Sequence, residues 1–452
     1  MSTPMTMSLE QAARAVSGRC IGANVSFERV STDGRKSCAG ALFIALAGPR
    51  FDAHDFIDQA KARGAVAVMV SRTVATDLPQ LLVEDTRLAL GRLAAFWRDQ
   101  LDVRVAGVTG SNGKTTTKEM IAAILRQAGP VLATEGNLNN DIGMPLTLLR
   151  LQPEHRYAVI EMGANHCGEI AYMTKIARPD VAVITNAGPA HLEGFGGLDG
   201  VARGKGEIYQ GLGPNGIAVI NADDVYAGYW RGIAKQYNQL TFGFSAQADV
   251  HAEFRGDAFG SELSIRHARG EFGVRLELPG RHNAANALAA ATVALALGIA
   301  PAQIASGLHS MHGVRGRLQR RAAFNGAALI DDTYNANPSS LAAALKVLAA
   351  CPGEKYLALG DMGELGAQTE QLHAEAGQLA RELGVDRLYA VGPLSRHAAE
   401  RFGAQARHFA QQDELIAALR QDLHAGVTLL VKGSRSARME HVVEALAARE
   451  AN

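Results

Sequence analysis

At 452 residues, 47% of them apolar, the chain exceeds what one hydrophobic core ordinarily supports, so about two to four domains are expected. Its 45 basic side chains balance 45 acidic ones, which leaves no overall field to recruit nucleic acid or an anionic membrane; any polyanion must be held by local groups. Cys20, Cys38, Cys167 and Cys351 lack C-x-x-C spacing, which fits reduced thiols in the cytoplasm rather than a disulfide framework or zinc site.

The N-terminal stretch Met1–Gly18 has neither a basic start nor an apolar run, and predicts an amphipathic helix instead of a secretory signal. A strand at Ala41–Ala45, a helix over Phe56–Arg63, a strand at Ala65–Val70 and a helix over Arg87–Gln100 complete a first block. The second block opens with a β-branched strand, Val103–Gly110, and a helix, Lys114–Gln127, stopped by Gly129-Pro130. Strands at Tyr157–Gly163, Val181–Asn186 and Ile217–Asp223 follow, then an antiparallel stretch from Ala248 to Leu278. The alanine-rich segment Ala284–Ala300 falls short of the roughly 20 residues that span a bilayer and predicts a buried helix. After Gly313–Gln319, strands at Ala328–Asp332, Tyr356–Asp361, Arg387–Val391 and Val427–Lys432 predict a small doubly wound domain. The expectation is therefore α/β in three domains: residues 1–101, small and α/β; 102–316, with a mostly parallel sheet; and 317–452, Rossmann-like. The 48 glycines suit many tight strand-to-helix turns.

The string TGSNGKTTTKEM (Thr109–Met120) sets glycines and then Lys-Thr between a strand and a helix, the context of a phosphate-cradling loop. Val108 stands at the first glycine position of the strict pattern and Gly107 one residue early, so the match is to a variant. Gly110 and Gly113 allow close backbone approach, and the N–H groups of Ser111, Asn112, Gly113, Thr115 and Thr116 can face phosphate oxygens. Lys114 adds a point charge and Thr115 a hydroxyl suited to Mg²⁺. ATP binding is expected, although the loop alone does not identify the chemistry.

The variant loop resembles that of the Mur ligases of bacterial cell-wall synthesis. Seven further strings, in order, are similar to the member that adds D-alanyl-D-alanine: GNLNNDIG (Gly136–Gly143), EMGANHCGEI (Glu161–Ile170), AHLEGFG (Ala190–Gly196), GRHNAANALAA (Gly280–Ala290), DDTYNANPSS (Asp331–Ser340), LGDMGELG (Leu359–Gly366) and VKGSRSARME (Val431–Glu440). The resemblance implies an N-terminal UDP-substrate domain, a central ATPase domain and a C-terminal Rossmann-like ligase domain. It also implies a cytoplasmic enzyme, expected as a monomer, whose substrates are UDP-N-acetylmuramoyl-tripeptide and D-alanyl-D-alanine. ATP would convert the tripeptide carboxylate to an acyl phosphate, which the dipeptide amine then attacks. Neither nucleic acid nor integral membrane association is expected.

By the same resemblance Thr115 and Glu161 bind Mg²⁺, and His191 reaches a second ion. Lys205 becomes carbamylated, Asn286 contacts adenine, and Arg317 reaches the γ-phosphate. Asp332, with Tyr334 and Asn335, forms the C-terminal nucleotide contact, at a strand end suited to ligands. Thr32, Asp33 and Arg35 are the candidates for the uridine side. Asn137, Asn139 and Asn140 suit the muramoyl-peptide, and Lys432, Ser434 and Arg435 offer a seat for the dipeptide carboxylate. Without the resemblance, each has a plainer reading: His191 a structural hydrogen-bonder, Lys205 a helix-surface lysine, Asn286 a helix-to-helix contact. Domain closure is expected, because the implicated residues come from all three blocks. The competing functions are another Mur-type ligase, a folylpolyglutamate-type ligase, which shares the variant loop, and a nucleotide-dependent switch.

Overall fold

The computed structural model describes residues 5–49, 51–311 and 313–448. The first four residues of the N-terminal stretch, Arg50, His312 and the chain's last four residues lie outside the described residues.

Each block forms its own sheet. In the first, Arg29–Ser31, Ala41–Ile44, Ala67–Val70 and Gln80–Leu82 run parallel in sequence order, and Arg19–Ile21 closes one edge antiparallel. The helix Leu9–Val16 starts on a Ser8 capping box with Gln11 and buries Leu9, Ala12, Ala13 and Val16, the one-sided stripe its sequence predicts. The helix Thr86–Asp99 is capped by Asp85, whose carboxylate accepts the N–H groups of Arg87 and Leu88. Its Leu90 and Leu93 share a hydrophobic cluster with Leu148, Ile176 and Ile184 of the second block, which welds the two blocks into one packed unit.

The central sheet has nine strands, with Tyr157–Glu161, Arg104–Thr109 and Val181–Ile184 adjacent and parallel. These strands are buried almost throughout, as parallel strands covered on both faces must be. Val250–Gly256, Ser261–His267 and Gly270–Leu276 extend the sheet as the expected antiparallel ribbon. The alanine-rich segment is the helix Arg281–Ala296, buried from Asn286 to Ala294. The helix Lys114–Arg126 packs beside it, and both lie against the sheet.

The third sheet carries six strands, ordered Gln319–Ala322, Ala328–Asp332, Val427–Lys432, Glu354–Gly360, Arg387–Val391 and Ala406–Phe409, all parallel except the first. The two outer strands were not anticipated: QRRA and ARHF are polar and half-exposed, without the apolar run that marks the inner strands. A hairpin tip of the central sheet, Ala258, is buried in the third block's core beside Leu318 and Ile330.

Candidate active site

Three loops leave the carboxyl ends of neighbouring central strands, where ligands of open α/β sheets bind. The first is the phosphate loop. Gly110 has φ +146° and Gly113 φ +80°. A Cβ at Gly110 would collide with the Thr185 hydroxyl, and one at Gly113 with the Asn286 amide, so both glycines are required by conformation and by space. The loop is braced from behind: the Thr185 hydroxyl donates to the Asn112 carbonyl at 2.6 Å, and the Asn112 N–H donates to Asn186 Oδ1 at 3.0 Å. Ser111 Oγ donates to the Gly188 carbonyl at 3.0 Å. Thr185, Asn186 and Gly188 were not anticipated; a short polar run after a buried strand was their only sequence signal.

Lys114 Nζ donates to the carbonyls of Gly110 at 2.8 Å and Ser111 at 3.2 Å. Burial lowers its pKa, with the Glu161 carboxylate opposing that shift and Arg317 adding to it. Thr115 Oγ1 lies 3.5 Å from the Arg317 guanidinium, and Thr116 is buried against the nucleotide cavity.

Glu161 ends its strand 1% exposed. Its Oε1 accepts from Asn139 Nδ2 at 2.8 Å, while Oε2 is buried with no partner. An orphaned carboxylate oxygen facing the phosphate loop has the hard, anionic character that Mg²⁺ prefers, and Thr115 supplies a second oxygen. Among the described residues no three His, Cys, Asp or Glu side chains converge as a preformed metal cage, so phosphate and water oxygens would have to complete the coordination.

His191 is held in the left-handed region at φ +55° and opposes Glu364, also left-handed at φ +61°, from the C-terminal block. His191 Nδ1 lies 2.5 Å from Glu364 Oε2, without the angle of a hydrogen bond. Burial lowers the His191 pKa against the pull of Glu364. Lys205 is 1% exposed, whereas Arg203 beside it is exposed. The Lys205 amine sits 4.8 Å from the Phe195 ring centroid and donates to the Ala164 carbonyl at 3.3 Å. Burial, with Lys114 nearby, brings its pKa down to about 7.

Most of these groups, though neither Thr115 nor Lys205, line three cavities that open into one another. A middle one of about 330 Å³ holds Lys114, Asn139, Asn140, Glu161, His191 and Arg317. On one side it shares Asn112, Gly113 and Arg317 with a cavity of about 340 Å³, which runs past Asn286, Asn283 and His282 to Asp332. On the other it shares Asn165, His191 and Tyr334 with a larger one of about 1020 Å³, lined also by Asn137, Asn335, Ser434 and Arg435.

Arg317 stacks over the Tyr334 ring at 4.1 Å. Asn140 Oδ1 accepts the Gly143 N–H at 2.8 Å, at the start of the helix Gly143–Leu148. Lys432 was expected beside Ser434 and Arg435, but its buried amine points the other way, pairing with Asp332 Oδ2 at 2.5 Å and the Asn335 carbonyl at 3.0 Å. The reason is register: Asp332 and Lys432 are direct partners on adjacent parallel strands. Lys432 therefore belongs to the nucleotide side, while Ser434 and Arg435 face the large cavity. Thr32, Asp33 and Arg35 line none of the three cavities. Asp33 and Arg35 pair with each other at 2.9 Å, which holds the Asp33 carboxyl at about 2.

A braced phosphate loop, an orphaned acidic oxygen beside it and a second α/β domain closing over both define an ATP-dependent enzyme with a separate acceptor compartment. Residues 26–98 match the Mur ligase family catalytic domain, 108–294 the Mur ligase middle domain, and 316–435 the Mur ligase glutamate ligase domain. The chain is 48% identical over 446 residues to the UDP-N-acetylmuramoyl-tripeptide--D-alanyl-D-alanine ligase of Escherichia coli, covering 98% of each. Its fold is similar to a MurF crystal structure from Acinetobacter baumannii, with a TM-score of 0.92, 40% identity and 98% of each chain covered. It is also similar to the UDP-N-acetylmuramoylalanyl-D-glutamyl-2,6-diaminopimelate--D-alanyl-D-alanyl ligase of that organism, with a TM-score of 0.89, 40% identity and 98% of each chain covered. MurF from Thermotoga maritima in complex with ADP aligns with a TM-score of 0.82 at 31% identity, covering 92% of this chain and 96% of that one. The chain belongs to the Mur ligase family.

Proposed function

We propose that the chain is an ATP-dependent ligase that adds D-alanyl-D-alanine to UDP-N-acetylmuramoyl-tripeptide, as its named relatives do. The observation that carries the chemistry is the junction of the three cavities: nucleotide on one side and acceptor on the other meet at Lys114, Glu161 and His191. The tripeptide carboxylate and the ATP terminal phosphate are both anions, so lowering their repulsion is the first requirement. Lys114 and Arg317 bring fixed positive charge from two domains, and the braced loop amides orient the phosphates without reorganising. Thr115 and Glu161 would hold Mg²⁺, which when bound neutralises phosphate charge. The acyl phosphate then faces the large cavity, from which the dipeptide amine attacks.

Several finer assignments belong to this reading. Lys205 is carbamylated: a buried amine with its pKa near 7 supplies the neutral nucleophile that carbon dioxide requires, and the product carbamate carries the negative charge a metal ligand needs. Asn286 and Asp332 serve the nucleotide, and Thr32, Asp33 and Arg35 the uridine end. The tripeptide's third residue is diaminopimelate, as in the name of one Acinetobacter relative. The domain borders lie near residues 101 and 316, between the sheets, and the protein acts as a cytoplasmic monomer where ATP and UDP-linked substrates are available. No helix among the described residues is long and apolar enough to cross a membrane.

The test is phosphate release with alternative amines. Release that requires both the UDP-linked tripeptide and D-alanyl-D-alanine supports the proposal. Release that requires glutamate instead favours a folylpolyglutamate-type enzyme, and hydrolysis needing neither substrate overturns the ligase reading.

A further inference from the structure

Arg87 and Asp141 form an ion pair that neither the phosphate chemistry nor the nucleotide cavity uses. Arg87 Nη1 lies 2.6 Å from Asp141 Oδ2, joining the first block's helix Thr86–Asp99 to the loop that also carries Asn139 and Asn140. Asp141 lines the middle cavity together with Lys114 and Glu161. Arg87 occupies the first turn of its helix, where the macrodipole disfavours a cation, so local preference does not account for it. On the same face one turn further, Gly91 abuts the Tyr172 hydroxyl; a Cβ there would collide with it. That hydroxyl is buried and has no partner. Asp141 thus lines the compartment in which the acceptor's carboxylate is activated, Arg87 is paired to it from behind, and the unsatisfied Tyr172 hydroxyl lies against the same helix one turn on.

Resting on the ligase reading above, we propose that Arg87, Asp141 and Tyr172 read the side-chain terminus of the tripeptide's third residue, and that they select a zwitterionic terminus bearing both an ammonium and a carboxylate. Such a terminus inserts by exchange: Asp141 trades Arg87 for the ammonium, Arg87 trades Asp141 for the carboxylate, and the Tyr172 hydroxyl donates to the same carboxylate. No charge is left unpaired. A lysine side chain would satisfy Asp141 but strand Arg87 and leave Tyr172 without an acceptor, so discrimination comes from the mismatch as much as from the match.

The experiment compares UDP-linked tripeptides ending in diaminopimelate and in lysine, by calorimetric binding and by kcat/KM, for the wild type, Arg87→Gln, Asp141→Asn and Tyr172→Phe. The wild type is expected to prefer diaminopimelate by about tenfold or more, the worth of a charge-assisted pair, and each variant is expected to collapse that ratio. A wild type with no preference, or variants that weaken both tripeptides equally, would overturn the proposal and leave the pair as a tie between domains. Tyr172→Phe removes only a hydroxyl and guards against misfolding of the charge variants. Because binding is read directly, an absence of turnover with D-alanyl-D-alanine counts against the ligase reading while the preference is still measured.

Discussion

Asn337 Nδ2 donates to Asn112 Oδ1 at 2.8 Å, so one side-chain amide joins the C-terminal domain to the middle of the phosphate loop. The other end of the same amide accepts the Ser340 N–H at 2.9 Å and caps the helix Pro338–Ala349. The loop's conformation and the seating of the C-terminal helix are thereby coupled through a single residue.

Asn337→Asp keeps the capping oxygen and loses the donor to Asn112. Its melting temperature should stay close to that of the wild type while KM for ATP rises several-fold. Asn337→Ala removes the cap as well and should cost about 1 kcal/mol of stability in addition. Thermal melts beside steady-state kinetics check both; equal kinetics in the aspartate variant would reduce the contact to packing.

Lys205→Ala should lower turnover by about a hundredfold or more, the scale of losing a group that stabilises transition-state charge. Mass spectrometry under native conditions, with isotopically labelled bicarbonate, should find the label on Lys205 in the wild type. An active alanine variant would remove the residue from the mechanism, and an unlabelled but essential lysine would leave it acting as a cation.

His282 borders the nucleotide cavity, where burial brings its pKa down to about 4. The unfolded chain, with an ordinary histidine near 6.5, binds more protons between those values, so this group withdraws stability as the pH falls from about 6.5 to 4. His282→Gln should flatten acid destabilisation in that window. Denaturant melts at a series of pH values decide it, and parallel slopes for the two proteins would contradict the assignment.

Arg317→Lys keeps the charge but loses the planar stack on Tyr334 and the fork that reaches Thr115. The expected result is a fall in kcat of about tenfold or more with little change in ADP affinity, because the group acts where the γ-phosphate is transferred. A fall in ADP affinity with kcat unchanged would place Arg317 in ground-state binding instead.

Much of this was legible in the residues because the physics is local. The phosphate loop announces itself through glycines between a β-branched strand and a helix, and Ala328–Asp332 and Val427–Lys432 are strands because they are short, apolar and buried on both faces. Glu161, Lys205 and Asn286 became candidates only through the family resemblance; read locally, Lys205 is a helix-surface lysine, and nothing local says that it is buried and Arg203 is not. Partnerships lay beyond such a reading. Lys432 meets Asp332 across 100 residues, Asn337 meets Asn112 across 225, and Arg87 meets Asp141 across 54. Each pairing depends on strand register or on how one domain seats against another, and those are decided by burying apolar surface collectively, not by the few residues that end up in contact. The sequence determined which groups could do the chemistry; the tertiary structure alone decided which of them share a cavity, and so turned Lys432 from the acceptor's side to the nucleotide's.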